Sequence, residues 1–272
     1  MMTKFLTLNT HSWLEEDALT RLKTLGDKIL SEGFDVIALQ EINQLIDSKD
    51  ITKPDTYTDV TNIHALHEDN YAFKLVEYLA SKGVKYYFAW AYNHIGYDKY
   101  YEGVALLSKE PFTVVQKVRT SKIDDEHDYH TRYALIGQTS VDGRKMTAVS
   151  GHFSWWENGF LDEWENIEEK LSELGAPYVI MGDFNNPVDS KGHERVLVSP
   201  LGLVDSHQVA ESVRGKATIE KEIDGWEGND SELKIDFIFL SKTFEVLESK
   251  IVFDGNDGAK ISDHFGVACT TR

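Results

Sequence analysis

The sequence predicts a mixed α/β fold in which two mixed β-sheets are sandwiched between helices. Two hydrophobic periods alternate along the chain: short apolar runs rich in β-branched and aromatic residues, and longer stretches with an apolar stripe at helical spacing. Strand-like runs follow one another as hairpin pairs in the middle, which neither strict βαβ alternation nor an all-β fold produces. With five prolines and no Pro/Gly/Ser-rich joint, the 272 residues read as one continuous domain, 1–272.

The strand-like runs are residues 5–9, 36–41, 86–90, 104–108, 112–118, 132–139, 145–150, 178–182, 235–240, 245–253 and 266–271. Between some of them lie helical patterns. Leu22, Leu25, Ile29 and Leu30 line one face of 15–31, and Gly33 follows as a stop signal. Residues 70–81, ending near Gly83, and 161–174, ending at Gly175-Ala176-Pro177, repeat the pattern. The stretches 93–101 and 43–70 read as loops. The first is a polar, aromatic candidate for the substrate rim; the second is a solvated loop or lid in which His64 and His67 stand beside Glu68 and Asp69.

Composition narrows the function. The chain carries 28 Lys+Arg against 46 Asp+Glu, a net charge of −18. So acidic a surface repels phosphate backbones and anionic membranes, which disfavours a nucleic-acid partner and predicts no membrane association. No run approaches the roughly 18 apolar residues of a membrane helix. The first residues, Met1 to Asn9, are interrupted too early by polar side chains to read as a signal peptide. The single cysteine, Cys269, permits no intramolecular disulfide, in keeping with a reducing, cytoplasmic location.

The chemistry sits at strand ends. The apolar run Val36-Ile37-Ala38-Leu39 stops abruptly at Gln40-Glu41, and Tyr178-Val179-Ile180-Met181 runs into Gly182-Asp183-Phe184-Asn185. Asp183 and Asn185, two apart, are placed to project into one cleft; an Asx-rich turn would look the same. Asp236 interrupts the apolar run 235–240, where an unpaired charge is expensive, so it requires a partner. His264, in Ser262-Asp263-His264, is the candidate, and a carboxylate-oriented histidine suits a hydrolytic site. Oxygen-rich ligands with no cysteine point to Mg²⁺ or Mn²⁺ rather than structural zinc.

Taken together, Leu8-Asn9, Leu39-Gln40-Glu41, Ser150-Gly151-His152-Phe153, Gly182-Asp183-Phe184-Asn185, Ile235-Asp236-Phe237-Ile238 and Ser262-Asp263-His264 resemble the endonuclease/exonuclease/phosphatase superfamily in order and spacing. The resemblance spans nearly the whole chain. It implies a four-layer α/β/β/α sandwich of the DNase I-like kind and a metal-dependent phosphoester hydrolase. It implies Glu41 as principal metal ligand, with Asn9 and Asp263 beside it. Asp183 would orient or deprotonate the attacking water and Asn185 would position it. His264, held by Asp236, would serve as base or as donor to the phosphate. His152 would be a second phosphate donor, held by a carboxylate for which Glu102 is the candidate. Arg132 resembles a phosphate-contacting arginine, although a strand-edge Arg would look alike. Neither the number of metals nor the identity of the base follows from the resemblance.

The chain also departs from the better-known nucleases. His11 follows Asn9 by two residues, where some DNA-repair members carry an acidic residue that helps hold a metal. Beyond His152 come Trp155 and Trp156. On a regular strand adjacent side chains alternate, so one of the pair is expected to line the cleft. Trp226, on a loop before Asp236, is a further candidate, as are His94 and Tyr97. The stretches 8–13, 94–98, 152–156 and 182–187 are similar to those of the maltose 6′-phosphate phosphatases of lactic-acid bacteria. That similarity implies a phosphomonoesterase acting on a small sugar phosphate such as maltose 6′-phosphate. A nuclease or other phosphodiesterase is the first alternative, and a catalytically inactive binding protein of the same fold the second.

Overall fold

A computed structural model describes residues 2–175 and 177–272 of the chain. Met1 and Ala176, the latter within the predicted helix stop, lie outside the described residues. The strands are β1 (Thr3–Asn9), β2 (Val36–Leu45), β3 (Tyr87–Gly96), β4 (Tyr100–Ser108), β5 (Val114–Arg119), β6 (Tyr133–Val141), β7 (Arg144–His152), β8 (Tyr178–Asp183), β9 (Leu203–Asp205), β10 (Ser212–Arg214), β11 (Asp236–Ser241), β12 (Val246–Val252) and β13 (Gly266–Thr271). The helices are α1 (Ala18–Glu32), α2 (Tyr71–Ser81), α3 (Phe160–Leu174), α4 (Lys191–Leu197) and α5 (Ser206–Val209).

The strands form a seven-stranded sheet, β10-β12-β13-β1-β2-β4-β3, and a six-stranded sheet, β5-β6-β7-β8-β11-β9, both mixed. Alternation along the strands explains the layers. In β1, Leu6 and Leu8 meet Leu22, Leu25 and Ile29 of α1, while Phe5 turns the other way into the inter-sheet core. That inner core also takes Val36 and Ala38 of β2, Ala148 of β7, Met181 of β8 and Ile238 of β11. On the far face, Phe160, Trp164, Ile167 and Leu171 of α3 cover Val149, Ile180, Phe237 and Phe239. Each such large apolar side chain, fully buried, contributes about 1.5–3 kcal/mol. The predicted two-sheet sandwich between helices is the observed fold.

The two sheets are also tied by polar contacts close to the strand ends. Gln40 Nε2 donates to Ser150 Oγ at 3.1 Å, and Ser150 Oγ donates to the Leu39 carbonyl at 3.2 Å. Here one glycine is required: a Cβ on Gly182 would lie 1.9 Å from the Gly151 carbonyl oxygen of the paired strand.

The structure corrects several element readings. Residues 93–101 are no loop: β3 and β4 extend through them as a hairpin whose turn places Tyr97 and Asp98 at φ 55° and 51°. The first half of the predicted 43–70 loop is partly strand, since β2 runs to Leu45. Most of the remainder is exposed or half-buried, as a solvated loop would be, but its two histidines are held in place. His67 is buried, with Nδ1 at 2.8 Å from the Leu45 carbonyl, and His64 stacks on Tyr101 at 3.7 Å between ring centroids. The short elements α4, α5, β9 and β10 went unpredicted.

Candidate active site

Register places the candidate residues before any side chain is considered. Parallel pairing of β7 with β8 sets His152 beside Asp183, and antiparallel pairing of β8 with β11 sets Asp183 beside Asp236. Three functional positions thus stand in one row across the six-stranded sheet. In the other sheet, the parallel pairing of β1 with β2 ends at Asn9 and Gln40. Glu41 follows at φ 53°, inside an irregularity of the β2–β4 pairing between Leu39 and Ile42. A bulge of this kind re-aims a side chain at the cost of regular pairing, with the left-handed backbone adding strain of its own. The re-aimed carboxylate lines the cleft.

The carboxamide of Asn9 ties the two sheets' contributions together. Its Nδ2 donates to Glu41 Oε1 at 2.8 Å and to Asp183 Oδ2 at 3.2 Å, and lies 3.5 Å from His264 Nε2. Asp183 is also fixed from its own turn, where the Asn185 backbone N–H donates to Oδ1 at 2.9 Å. Burial, and the neighbouring Asp236, push the Asp183 carboxyl up to about 7. His264 Nδ1 lies 2.9 Å from Asp236 Oδ2, and its Nε2 lies 3.7 Å from Asp183 Oδ2. Burial opposes its charge, yet Asp236 and Asp183 prevail and hold the imidazole well above its ordinary range, in the cationic form. His152 is the opposite case. Burial together with Arg132, His264 and His94 holds it well below, so it stays neutral, with Nε2 3.5 Å from Asp183 Oδ2.

Asn185 has φ 49°, and both ends of its carboxamide are engaged: Nδ2 donates to the Phe153 carbonyl and Oδ1 accepts from Trp226 Nε1, each at 2.9 Å. Trp226 therefore acts through Asn185. Trp155 lines the cleft, resting close against Gly225, whereas Trp156 packs toward Phe160. The alternation expected of a strand does not apply here, because β7 ends at His152 and a short 3-10 turn, Trp156–Asn158, begins just after Trp155.

The structure corrects the partner assigned to His152. Glu102 Oε1 lies 3.3 Å from Nε2 of His94, its register partner on β3. Among the described residues, the carboxylate within 4.0 Å of a His152 ring nitrogen is Asp183. Arg132 is buried at the cleft, its Nε without a hydrogen-bond partner among the described residues. His11 pairs with Glu15 at 3.0 Å and lies 3.9 Å from Asp263. Burial depresses its charge, but Glu15, Glu41 and Asp263 outweigh it and raise the ring to about 9.

The donor set suits a hard divalent cation. Glu41, Asp263 and the amide oxygen of Asn9 are oxygen donors from the irregularity within β2, the Ser262-Asp263-His264 turn and the end of β1. Glu41 bears the electrostatic mark of a cation site: burial, then Glu102 and Asp263, raise its carboxyl to about 8. Like charges gathered in this way call for a counter-charge. The complete cleft encloses about 770 Å³ and includes Glu41, His94, Tyr97, Glu102, Arg132, His152, Trp155, Asp183, Asn185 and His264. Sequence reading missed His127, Tyr129, Asp224 and Glu227 on its walls, all from loops without periodic pattern. Asp224 is bridged by the Tyr97 hydroxyl across the cleft mouth.

A buried carboxylate beside a charged histidine–aspartate pair, an arginine and a set of oxygen donors is the equipment of a phosphoester hydrolase. The chain belongs to the Endonuclease/Exonuclease/phosphatase family, whose model matches residues 10–264. Members of this family are hydrolases acting on phosphoesters, typically with a divalent metal. Among solved structures, the chain is similar to an endonuclease/exonuclease/phosphatase family protein from Leptotrichia buccalis. The two are 29% identical over 99% of each chain, with a TM-score of 0.86. It shares its fold with a mannosyl-6-phosphatase of Bacteroides thetaiotaomicron, at 16% identity over 99% of each chain and TM-score 0.72. It also shares its fold with TDP2 of D. rerio in a humanized form, at 18% identity over 100% of this chain and 99% of that one, TM-score 0.66. Comparison with curated proteins finds no match. No helix among the described residues is long and apolar enough to cross a membrane.

Proposed function

We propose that the chain is a Mg²⁺- or Mn²⁺-dependent phosphomonoesterase that hydrolyses a small sugar phosphate, with a disaccharide phosphate such as maltose 6′-phosphate as the leading candidate. The observation that carries this reading is the charge of the cleft. Asp98, Glu157, Asp224 and Glu227 stand around the mouth, and Arg132 is the one Lys or Arg among its lining residues. One phosphate is accommodated beside a metal and Arg132; a further phosphate would face carboxylates. Tyr97 and Asp224, from opposite loops of the lining, are joined by a hydrogen bond. The 16%-identical neighbour named a mannosyl-6-phosphatase supports the fold's use on a sugar phosphate, while TDP2, also solved with a single-strand DNA product, marks the phosphodiesterase alternative.

In this reading Glu41, Asn9 and Asp263 would hold the cation, which when bound would supply positive charge to the phosphoryl oxygens. Arg132 and His152 bind those oxygens, the neutral ring of His152 offering an N–H. Asp183, steadied by Asn9 and by the Asn185 N–H, accepts the proton of the water that attacks phosphorus in line. Asn185, itself held by Trp226, orients that water. His264, kept cationic by Asp236, donates to the phosphoryl group as charge accumulates. Trp155 supplies an apolar face for a sugar ring.

Phosphate release from a panel of sugar monophosphates, nucleotides and bis-esters with Mg²⁺, with Asp183→Ala as control, tests the proposal. Turnover of maltose 6′-phosphate above the bis-esters supports it. Cleavage of bis-esters or DNA without monoester turnover overturns it.

A further inference from the structure

We infer that Glu102, held by His94 and kept accessible by Gly96, is the residue that reads a hydroxyl group of the substrate's leaving portion. The inference rests on the sugar-phosphate reading above and deepens it. Glu102 is 6% exposed and projects from β4 into the same cleft as Asp183 and Arg132. Its two oxygens are unequally used. Oε1 faces His94 Nε2 at 3.3 Å, and the other nitrogen of that ring lies 3.2 Å from the Thr131 carbonyl, which fixes the imidazole in place. Oε2 is buried and has no hydrogen-bond partner among the described residues. An unpartnered carboxylate oxygen away from bulk water is costly unless a donor reaches it.

Gly96, at the end of β3, supplies the second observation. A Cβ there would lie 2.7 Å from Glu102 Oε2, and Gly96 itself lines the cleft. Space over the free oxygen exists because position 96 has no side chain. Burial disfavours the charged form of Glu102, but His94 and Arg132 outweigh it and keep the carboxyl below its ordinary range, hence an acceptor. The donor it awaits comes from the ligand. Above about pH 6 a phosphate monoester is mostly the dianion, which has no proton to give a carboxylate and would be repelled, so the matching group is a hydroxyl on the alcohol portion of the ester. Trp155 and Tyr129, on the walls of the same cleft, present ring faces suited to a sugar. Glu102 is thus a specificity residue for a hydroxylated monoester.

The test compares glucose 6-phosphate, which carries hydroxyls, with 4-nitrophenyl phosphate, which carries none on its leaving group. In Glu102→Gln the ratio of kcat/KM for the sugar phosphate to that for the aryl phosphate is expected to fall about tenfold or more, chiefly through KM. Gly96→Ala keeps the carboxylate and obstructs Oε2, so it shifts the ratio in the same direction and serves if Glu102→Gln fails to fold. An equal loss on both probes would place Glu102 on the reacting phosphate and overturn the inference while leaving the proposed activity standing. An unchanged ratio in both folded variants overturns it likewise. Wild-type protein that hydrolyses the aryl ester but no sugar monophosphate overturns the proposed activity, and this inference with it.

Discussion

At the scale of single residues, the site is organised by what surrounds each ionisable group. Asp183 and Asp236 are both buried carboxylates on adjacent strands; Asp236 Oδ2 has His264 Nδ1 at 2.9 Å, while burial and the nearby Asp236 push the Asp183 carboxyl up to about 7. With Asp183 as base, kcat/KM rises with pH as this carboxyl loses its proton, and falls below about 7. A profile flat from pH 5 to pH 8 would remove Asp183 from that role. Asp183→Ala is expected to lower kcat about 10³-fold, within the span of a general base. Trp226 offers a finer test. Its Nε1 donates to Asn185 Oδ1, so Trp226→Phe frees one end of the water-positioning amide while keeping the ring. Loss of an orienting partner of this kind costs on the order of tenfold or more in activity. The expected signature is a fall in kcat with KM unchanged, measured on any ester the protein turns over.

At the scale of elements, strand ends position the chemistry, and this explains what was legible in the sequence. Runs such as 36–41 and 178–182 announce themselves because they are buried on both faces, and their abrupt polar ends at Glu41 and Asp183 mark the site. The Asp236–His264 pair was legible for the same reason, since a charge inside an apolar run demands a partner. Register was not legible. Glu102 and His94 face each other only because β3 and β4 pair across an irregularity between Tyr92 and His94. Nothing in the sequence spacing separates that partner from His152. One of Trp155 and Trp156 lines the cleft as expected, but strand alternation is not the reason, because β7 ends at His152. Elements of three or four residues, such as β9 and α5, are too short to carry a period. The closeness of the strands also gives a stability prediction. Gly182→Ala puts a Cβ 1.9 Å from a paired backbone oxygen, where neither strand can yield alone. A loss of about 3 kcal/mol or more is expected by denaturant titration, in the upper range for single substitutions. A loss under about 1 kcal/mol would show that the β7–β8 pairing is looser than its geometry.

At the scale of the whole molecule, the net charge of −18 and the raised carboxyls of the cleft lead to one linked expectation. Glu41 and Asp183 have ordinary values of 4.5 and 3.8 and are raised to about 8 and about 7 in the folded chain. Between those limits the folded state holds protons that the unfolded state has lost. The part of the stability governed by these two groups therefore falls as pH rises from about 4 to about 8. A cation bound by deprotonated Glu41 must displace a proton at the low end of that window and little or none at the high end. Its apparent affinity accordingly rises by up to about tenfold per pH unit for each proton displaced. After chelator treatment, added Mg²⁺ or Mn²⁺ is expected to raise the melting temperature more at about pH 8.5 than at about pH 6. Glu41→Gln should abolish most of the difference, because the amide neither titrates nor attracts the ion as a carboxylate does. The comparison between the two proteins is essential. A surface bearing so large a negative charge collects divalent cations without a site, and that background persists in the variant. An increment independent of pH, or one retained in full by Glu41→Gln, would place the stabilising ion outside the cleft.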